Sequence, residues 1–426
     1  MPRSKNADIK TIERRTARKN DFALLVFSVL LGAVSGGVIW VYLRAVGTMT
    51  KLLWIVWPDH IHFFWYPLVV CLLGGLLMGL IHRGYPQYPE DMETVMTKIN
   101  RDRHYEYHPM LVMLLAAFIP LIIGASVGPE AGLTGAVAGL CYWVGDNISF
   151  AKGRREAYAK MGAVVALGMI FHAPLFGLFS VDENAAEERT SENVLPGTFN
   201  LLTYGLALSA GMGVYAVVSS YWGDAFGSLP SFGRVNLSVR DYPMVVVYTL
   251  AGTLLYVLYD LADKLIAAFL NFIPILLKEL VGGLVLGVCM IYMPMLTFSG
   301  ESRMNDLIVD YPLYTPAFLA ATCLLKVVLT SFCVRSGLRG GNIFAIIFGS
   351  TCLGSAIAMQ VFGADAASHV AFAAAIVNAA ALGGLLKKPI PAALVLLLCF
   401  PPKVLFWTVL AAGFGSFAGR KMEKTV

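Results

Sequence analysis

Gly124-Ala-Ser-Val-Gly-Pro-Glu-Ala-Gly-Leu-Thr-Gly135 lies inside a long apolar run, Met110–Val144, that holds no Lys, Arg or Asp and a single Glu, Glu130. This stretch decides the fold. The run is long enough to cross a bilayer core of ~30 Å, yet glycines interrupt it midway. Gly128-Pro129 predicts that a new helix starts there, because Pro is favoured at the first helical position, where its missing N–H would be unpaired anyway. A helix that begins inside a bilayer leaves N–H groups that lipid cannot satisfy. Those amides, together with the positive end of the helix dipole, make an anion site. The expectation is an all-α polytopic membrane protein in which broken helices line a path for a small anion.

The rest of the chain agrees with a membrane solvent. Of 426 residues, 58% are hydrophobic and only 14% charged, against roughly 25% charged in soluble domains. Further low-charge runs follow Phe22–Leu43: Phe63–Ile81, Met161–Val181, Val194–Trp222, Tyr242–Tyr259, Leu280–Gly300, Gly340–Gly363, Ala366–Leu386 and Pro389–Gly419. Ahead of the first run stand Arg3, Lys5, Lys10, Arg14, Arg15, Arg18 and Lys19, and after the last come Arg420, Lys421 and Lys424. The positive-inside rule places both ends in the cytoplasm, together with the loops 83–103 and 152–155. No small-residue cleavage motif follows the first run, so it reads as a span and not as a secretory signal. The net charge of +5 is accounted for by this topology and does not indicate a nucleic-acid partner. The expected organisation is a cytoplasmic segment 1–21, a transmembrane domain 22–419 with halves near 22–222 and 241–419, and a tail 420–426. The seven cysteines are scattered singly, and neither they nor the histidines show metal-ligand spacing. No cofactor, no metal and no enzymatic activity are expected.

An internal repeat links the halves. Ala166-Leu167-Gly168 precedes Pro174 as Ala381-Leu382-Gly383 precedes Pro389, an offset of 215 residues (381 − 166). Upstream of the second copy, Gly340-Gly341-Asn342-Ile343-Phe344 mirrors the first Gly-rich start. Inverted repeats with broken helices at the midplane are a common transporter plan. The predicted anion ligands are the backbone amides of Ser126, Val127 and Gly128, and of Gly341, Asn342, Ile343 and Phe344. Glu130 is a candidate gate or proton carrier, since a carboxylate buried in a membrane is costly and functional by default. Arg339 would concentrate anions at a pore mouth. Lys326, in the middle of an apolar run, is expected to snorkel or to face an aqueous vestibule.

At these positions the chain resembles the CLC family of chloride channels and chloride/proton antiporters. Gly124–Gly135 is similar to the family's G-R-E-G-P helix start. Phe171–Glu183 resembles its N-A-P-L-x-G-x-x-F-x-x-E-E segment, and Lys326–Phe344 its K-x-x-L-T…S-G-x-x-G-G-x-F segment. The resemblance implies a homodimer with one pore per subunit, in a prokaryotic-type inner membrane, without regulatory domains. It also places Val127 where the family's gating Glu stands, and Pro86 where a filter Ser stands, with Gln87 as a substitute ligand. Glu183 matches an internal proton-pathway acid. The family's last helix, with its inner-pore Tyr, is expected to be missing. Three functional readings follow: passive chloride conduction without the usual gate, chloride/proton antiport with Glu130 as displaced gate, and a non-conducting sensor or assembly protein on the same scaffold.

Overall fold

The computed structural model describes residues 3–99, 105–147, 155–182, 197–225, 231–232, 235, 238–397 and 399–423. The helices run α1 (Arg3–Lys51), α2 (Trp57–Ile61), α3 (Tyr66–Gly84), α4 (Met92–Thr97), α5 (Met110–Ile122), α6 (Glu130–Asn147), α7 (Arg155–Ile170), α8 (Pro174–Asp182) and α9 (Gly197–Trp222). The second half holds α10 (Asp241–Leu270), α11 (Ile275–Tyr292), α12 (Glu301–Asp310), α13 (Pro316–Ser336), α14 (Ile343–Phe362), α15 (Val370–Leu386), α16 (Pro389–Leu396) and α17 (Leu405–Glu423). Among the described residues, seven helices are long and apolar enough to cross a membrane. Apolar stretches in α5, α7 and α15 are shorter than a crossing, as expected where a span is made from two broken pieces. The first apolar run lies within a longer helix, Arg3–Lys51, that also takes in the basic segment before it. The run Pro389–Gly419 divides into α16 and α17, because Pro401 and Pro402 have no N–H to continue the first helix.

The repeat is visible in the helix order. α11–α17 follow α3–α9 one for one, so that α6 and α14, the helices behind the two Gly-rich segments, occupy equivalent places. Small residues allow the halves to approach closely, as they do in membranes generally. A Cβ on Gly75 of α3 would lie 2.4 Å from the Glu279 carbonyl oxygen of α11, and a Cβ on Gly283 would lie 2.4 Å from the Cys71 carbonyl oxygen. The same contact joins α15 to α17, where a Cβ on Gly415 would meet the Ala380 carbonyl oxygen at 2.0 Å. The core thus forms along helix–helix seams, while large apolar side chains such as Leu111, Val246 and Phe272 stay exposed, on surfaces that suit lipid.

Candidate functional site: two broken helices and a carboxylate between them

The two Gly-rich segments meet. The Gly128 amide donates to the Gly341 carbonyl at 2.7 Å, and the Gly341 amide donates back to the Gly128 carbonyl at 2.8 Å. Glycine at both positions leaves the room in which Glu130 lies flat against them. A Cβ on Gly341 would stand 1.9 Å from the Glu130 carboxyl carbon, and one on Gly128 would stand 2.0 Å from Glu130 Oε2.

Glu130 begins α6 but serves α14. Its side chain is 1% exposed. The Ile343 amide, in the first turn of α14, donates to Glu130 Oε1 at 3.0 Å, and the Phe344 amide also faces the carboxylate. Asn342, the N-cap of α14, leaves this role open: its side chain makes no cap bond, and its amide donates instead to the Tyr259 hydroxyl at 2.8 Å. A carboxylate from the other half therefore occupies the anion site that the start of α14 creates. Glu130 Oε2 is buried without a partner. Phe344, one residue on, stacks on Phe171 at 4.8 Å between centroids, which closes the site with apolar surface.

Two straps hold the first segment. The hydroxyls of Ser126 and Thr330 share a hydrogen bond of 2.9 Å. One turn earlier on α13, Lys326 donates to the carbonyls of Leu296 at 2.9 Å and of Phe298, in the turn between α11 and α12. The Phe298 amide in turn donates to the Gly124 carbonyl at 2.8 Å.

On the side of the chain that carries Arg83, Arg335 and Lys387, the loop after α3 is held by its carbonyls. Arg339 donates to Pro86 at 2.9 Å and to Gln87 at 3.2 Å, and His82 Nε2 donates to Tyr88 at 2.6 Å. Replacing Arg339 by Gln is therefore expected to free this loop. The measurement is limited proteolysis: cleavage between α3 and α5 should quicken while the melting of the bundle is unchanged.

Several expectations change at this point. Val127, Gly128 and Gly341 do not offer free amides to an ion. The Val127 amide bonds the Ala125 carbonyl at 2.8 Å, and the two glycines bond each other. The Ser126 amide faces the Cys333 sulfur, and its hydroxyl turns to Thr330. The Glu130 carboxylate holds the amides of Ile343 and Phe344 at the start of α14 together with its own amide at the start of α6. Gln87 is exposed and no contact brings it to the helix starts. Arg339 is engaged with a loop. Lys326 neither snorkels nor faces an aqueous vestibule: it is fully buried with carbonyls as acceptors. Val127 packs its side chain on Gly340, where a Cβ would come within 2.5 Å of it. Glu183 lies outside the described residues. A buried pair, His82 and Glu279, was not anticipated, because each stands one residue beyond an apolar run and reads as a flanking polar group.

A polytopic helical protein whose halves each break at a Gly-rich segment, and meet around one buried anionic group, has the architecture of a membrane pore or carrier. The chain belongs to the family described as voltage gated chloride channel, whose profile matches residues 74–420; this is a family of membrane transport proteins, not of enzymes. It is 25% identical over 305 residues to "Voltage-gated ClC-type chloride channel ClcB" of Escherichia coli (strain SMS-3-5 / SECEC), covering 68% of each chain. Among solved structures it resembles a CLC-type fluoride/proton antiporter, with a TM-score of 0.73 at 16% identity over 94% of this chain and 96% of the other. It also resembles a slow cyanobacterial chloride/proton antiporter, with a TM-score of 0.76 at 15% identity over 94% of both chains. Those two likenesses establish the fold.

Proposed function

We propose that this chain exchanges a small monovalent anion, chloride foremost, for protons across a bacterial inner membrane, with Glu130 as the movable occupant of the anion site. The observation that carries the reading is the hydrogen bond from the Ile343 amide to Glu130 Oε1. An ionised Glu130 and a free anion compete for the same amides, so one must leave for the other to bind. Protonation removes the charge that holds Glu130 there. The side chain then yields the start of α14 to the anion, and deprotonation returns it. A site emptied only by a proton links the two movements. The names of the two antiporters similar in fold accord with this, as does the lack of any other acid in the run that starts α6.

The second reading is passive conduction. It is favoured by Val127, which stands at the position of the family's gating Glu and carries no titratable group. By analogy with the family, we further propose a homodimer with one pore per subunit and both termini in the cytoplasm. A non-conducting scaffold is the least supported alternative, because a carboxylate seated on the amides of a helix start has no evident use in a sensor.

The test is the full chain in liposomes, with chloride and proton movement recorded together. A chloride gradient should drive protons uphill. In Glu130→Gln, which cannot be ionised, proton movement should fall by at least about tenfold, equivalent to ~1.4 kcal/mol, while chloride passes and no longer slows as the pH rises. If the wild-type chain passes chloride without moving protons, passive conduction is the correct reading. If it passes no chloride, bromide, nitrate or fluoride, the scaffold reading gains.

A further inference from the structure

A cavity of about 590 Å³ lies between the end of α11, α12 and the start of α13, on the side away from Arg83, Arg335 and Lys387. Its volume is in the range of small-ligand sites, ~300–1,000 Å³. One wall is charged. Arg303, Asp306 and Asp310 all line it, and their spacings of three and four put them on one face of α12. Arg303 is half-buried. Among the described residues it makes no hydrogen bond or ion pair, although Asp306 lies near enough to act on it. The opposite wall is apolar. Phe318, Ala321 and Leu325 line it from one face of α13. Phe318 is 46% exposed and Leu325 43%, so this wall opens toward lipid along about 10 Å of helix. Tyr314, which stacks on Phe318 at 5.2 Å between centroids, lines the cavity too. Tyrosines favour the headgroup level of a bilayer.

An occupant must suit one cation and two carboxylates above an apolar wall. A lipid whose headgroup is only an anion would satisfy Arg303 and bring its charge against both acids. A lipid whose headgroup carries a phosphate and an ammonium satisfies all three. The guanidinium fork matches a phosphate, and the ammonium donates to the carboxylates. In such a headgroup the two charges are separated by two carbons, and Arg303 and Asp306 are separated by about one helical turn, ~5 Å. Arg303 also lines a neighbouring cavity, beside His62 and Phe298, but no carboxylate lines that one among the described residues. An ammonium therefore has partners only in the first.

We infer that this cavity binds a phospholipid of the phosphatidylethanolamine type, with its phosphate on Arg303, its ammonium on Asp306 and Asp310, and one acyl chain along Phe318, Ala321 and Leu325. The rest of the lipid stays in the leaflet away from Arg83, Arg335 and Lys387. The site adjoins the ion path at one point: Leu296 lines the cavity, and its carbonyl accepts from Lys326 at 2.9 Å. The inference does not depend on whether chloride movement is linked to protons.

The experiment follows the melting midpoint of the full chain in detergent as lipid is added, since a ligand of the folded state raises it. The probes are phosphatidylethanolamine and phosphatidylglycerol with the same acyl chains, and free phosphoethanolamine. Phosphatidylethanolamine should reach its half-effect at a concentration lower by about tenfold than phosphatidylglycerol, and free phosphoethanolamine should give no shift at that concentration. In Asp306→Asn with Asp310→Asn the two lipids should become equal within about twofold. Equal half-effects in the wild type, or a preference that survives in the double variant, overturn the inference. So does a free headgroup that acts as well as the lipid, because the apolar wall then takes no part. If the double variant does not fold, Leu325→Trp serves instead. It fills the wall from a partly exposed position and should weaken the phosphatidylethanolamine effect by about tenfold; an unchanged half-effect there overturns the inference equally.

Discussion

Gly341→Ala is expected to unseat Glu130 and, with it, to abolish the link between chloride and proton movement, while the helices stay folded. The added methyl would be placed 1.9 Å from the Glu130 carboxyl carbon and 2.1 Å from both Oε1 and the side-chain Cγ. No such contact is tolerated, and the group that can move is Glu130, the free end of a side chain. Gly341 does not have a positive φ, so alanine can adopt its backbone conformation. Filling a packed site with one methyl costs typically ~1–3 kcal/mol, which is enough to empty the seat at the Ile343 amide. Proton-coupled turnover should therefore fall by about tenfold or more, with the melting temperature little changed. The double variant Glu130→Ala with Gly341→Ala separates this from simple damage. Glu130→Ala removes all three of the atoms nearest to a methyl at 341, so the pair should behave as Glu130→Ala alone. Additive losses would show that the methyl harms the segment by some other route, since additivity is what independent sites give.

This arrangement was partly legible in the sequence. The interrupted runs, the Gly-rich helix starts and the repeat all depend on local composition and period, which a sequence displays directly. Glu130 stood out because it was alone among apolar neighbours. Its partner did not stand out. The Ile343 amide is 213 residues away, and the choice of which helix start the carboxylate serves is made by tertiary packing. The same limit misplaced Val127, Gly128 and Gly341. Their spacing marks them as a helix entry, but whether their amides stay free depends on another entry meeting them edge to edge. His82 and Glu279 escaped notice for a different reason. At the ends of apolar runs, polar residues ordinarily mark the membrane boundary. The glycines Gly75 and Gly79 on α3, and Gly283 and Gly287 on α11, did hold the missing signal. They are spaced by four on each helix, which is the pattern of a close helix pair, and a close pair carries its polar ends into the protein.

Lys326→Met should destabilise the fold strongly, because it strips the strap that positions the first Gly-rich segment. The ammonium group lies wholly inside the protein, with the carbonyls of Leu296 and Phe298 as acceptors, Thr297 at the 3.5 Å margin, and the Phe348 ring centroid 5.5 Å away. Methionine matches the length and the apolar stem but supplies no donor. Each buried carbonyl left without a partner costs ~1–3 kcal/mol, so the total loss is about 3–5 kcal/mol, of the size seen when one member of a buried charged pair is removed. For a chain this large that loss lowers the unfolding midpoint by on the order of 10 °C, measurable by thermal melting in detergent. The consequence reaches the ion path through backbone alone. The Phe298 amide bonds the Gly124 carbonyl, and Gly124 opens the segment that ends at Glu130. Lys326→Arg, which retains charge and donors, should recover much of the midpoint. If Lys326→Met melts with the wild type and still couples chloride to protons, the turn between α11 and α12 holds itself, and the hydrogen bond from the Phe298 amide to the Gly124 carbonyl needs no ammonium group to support it.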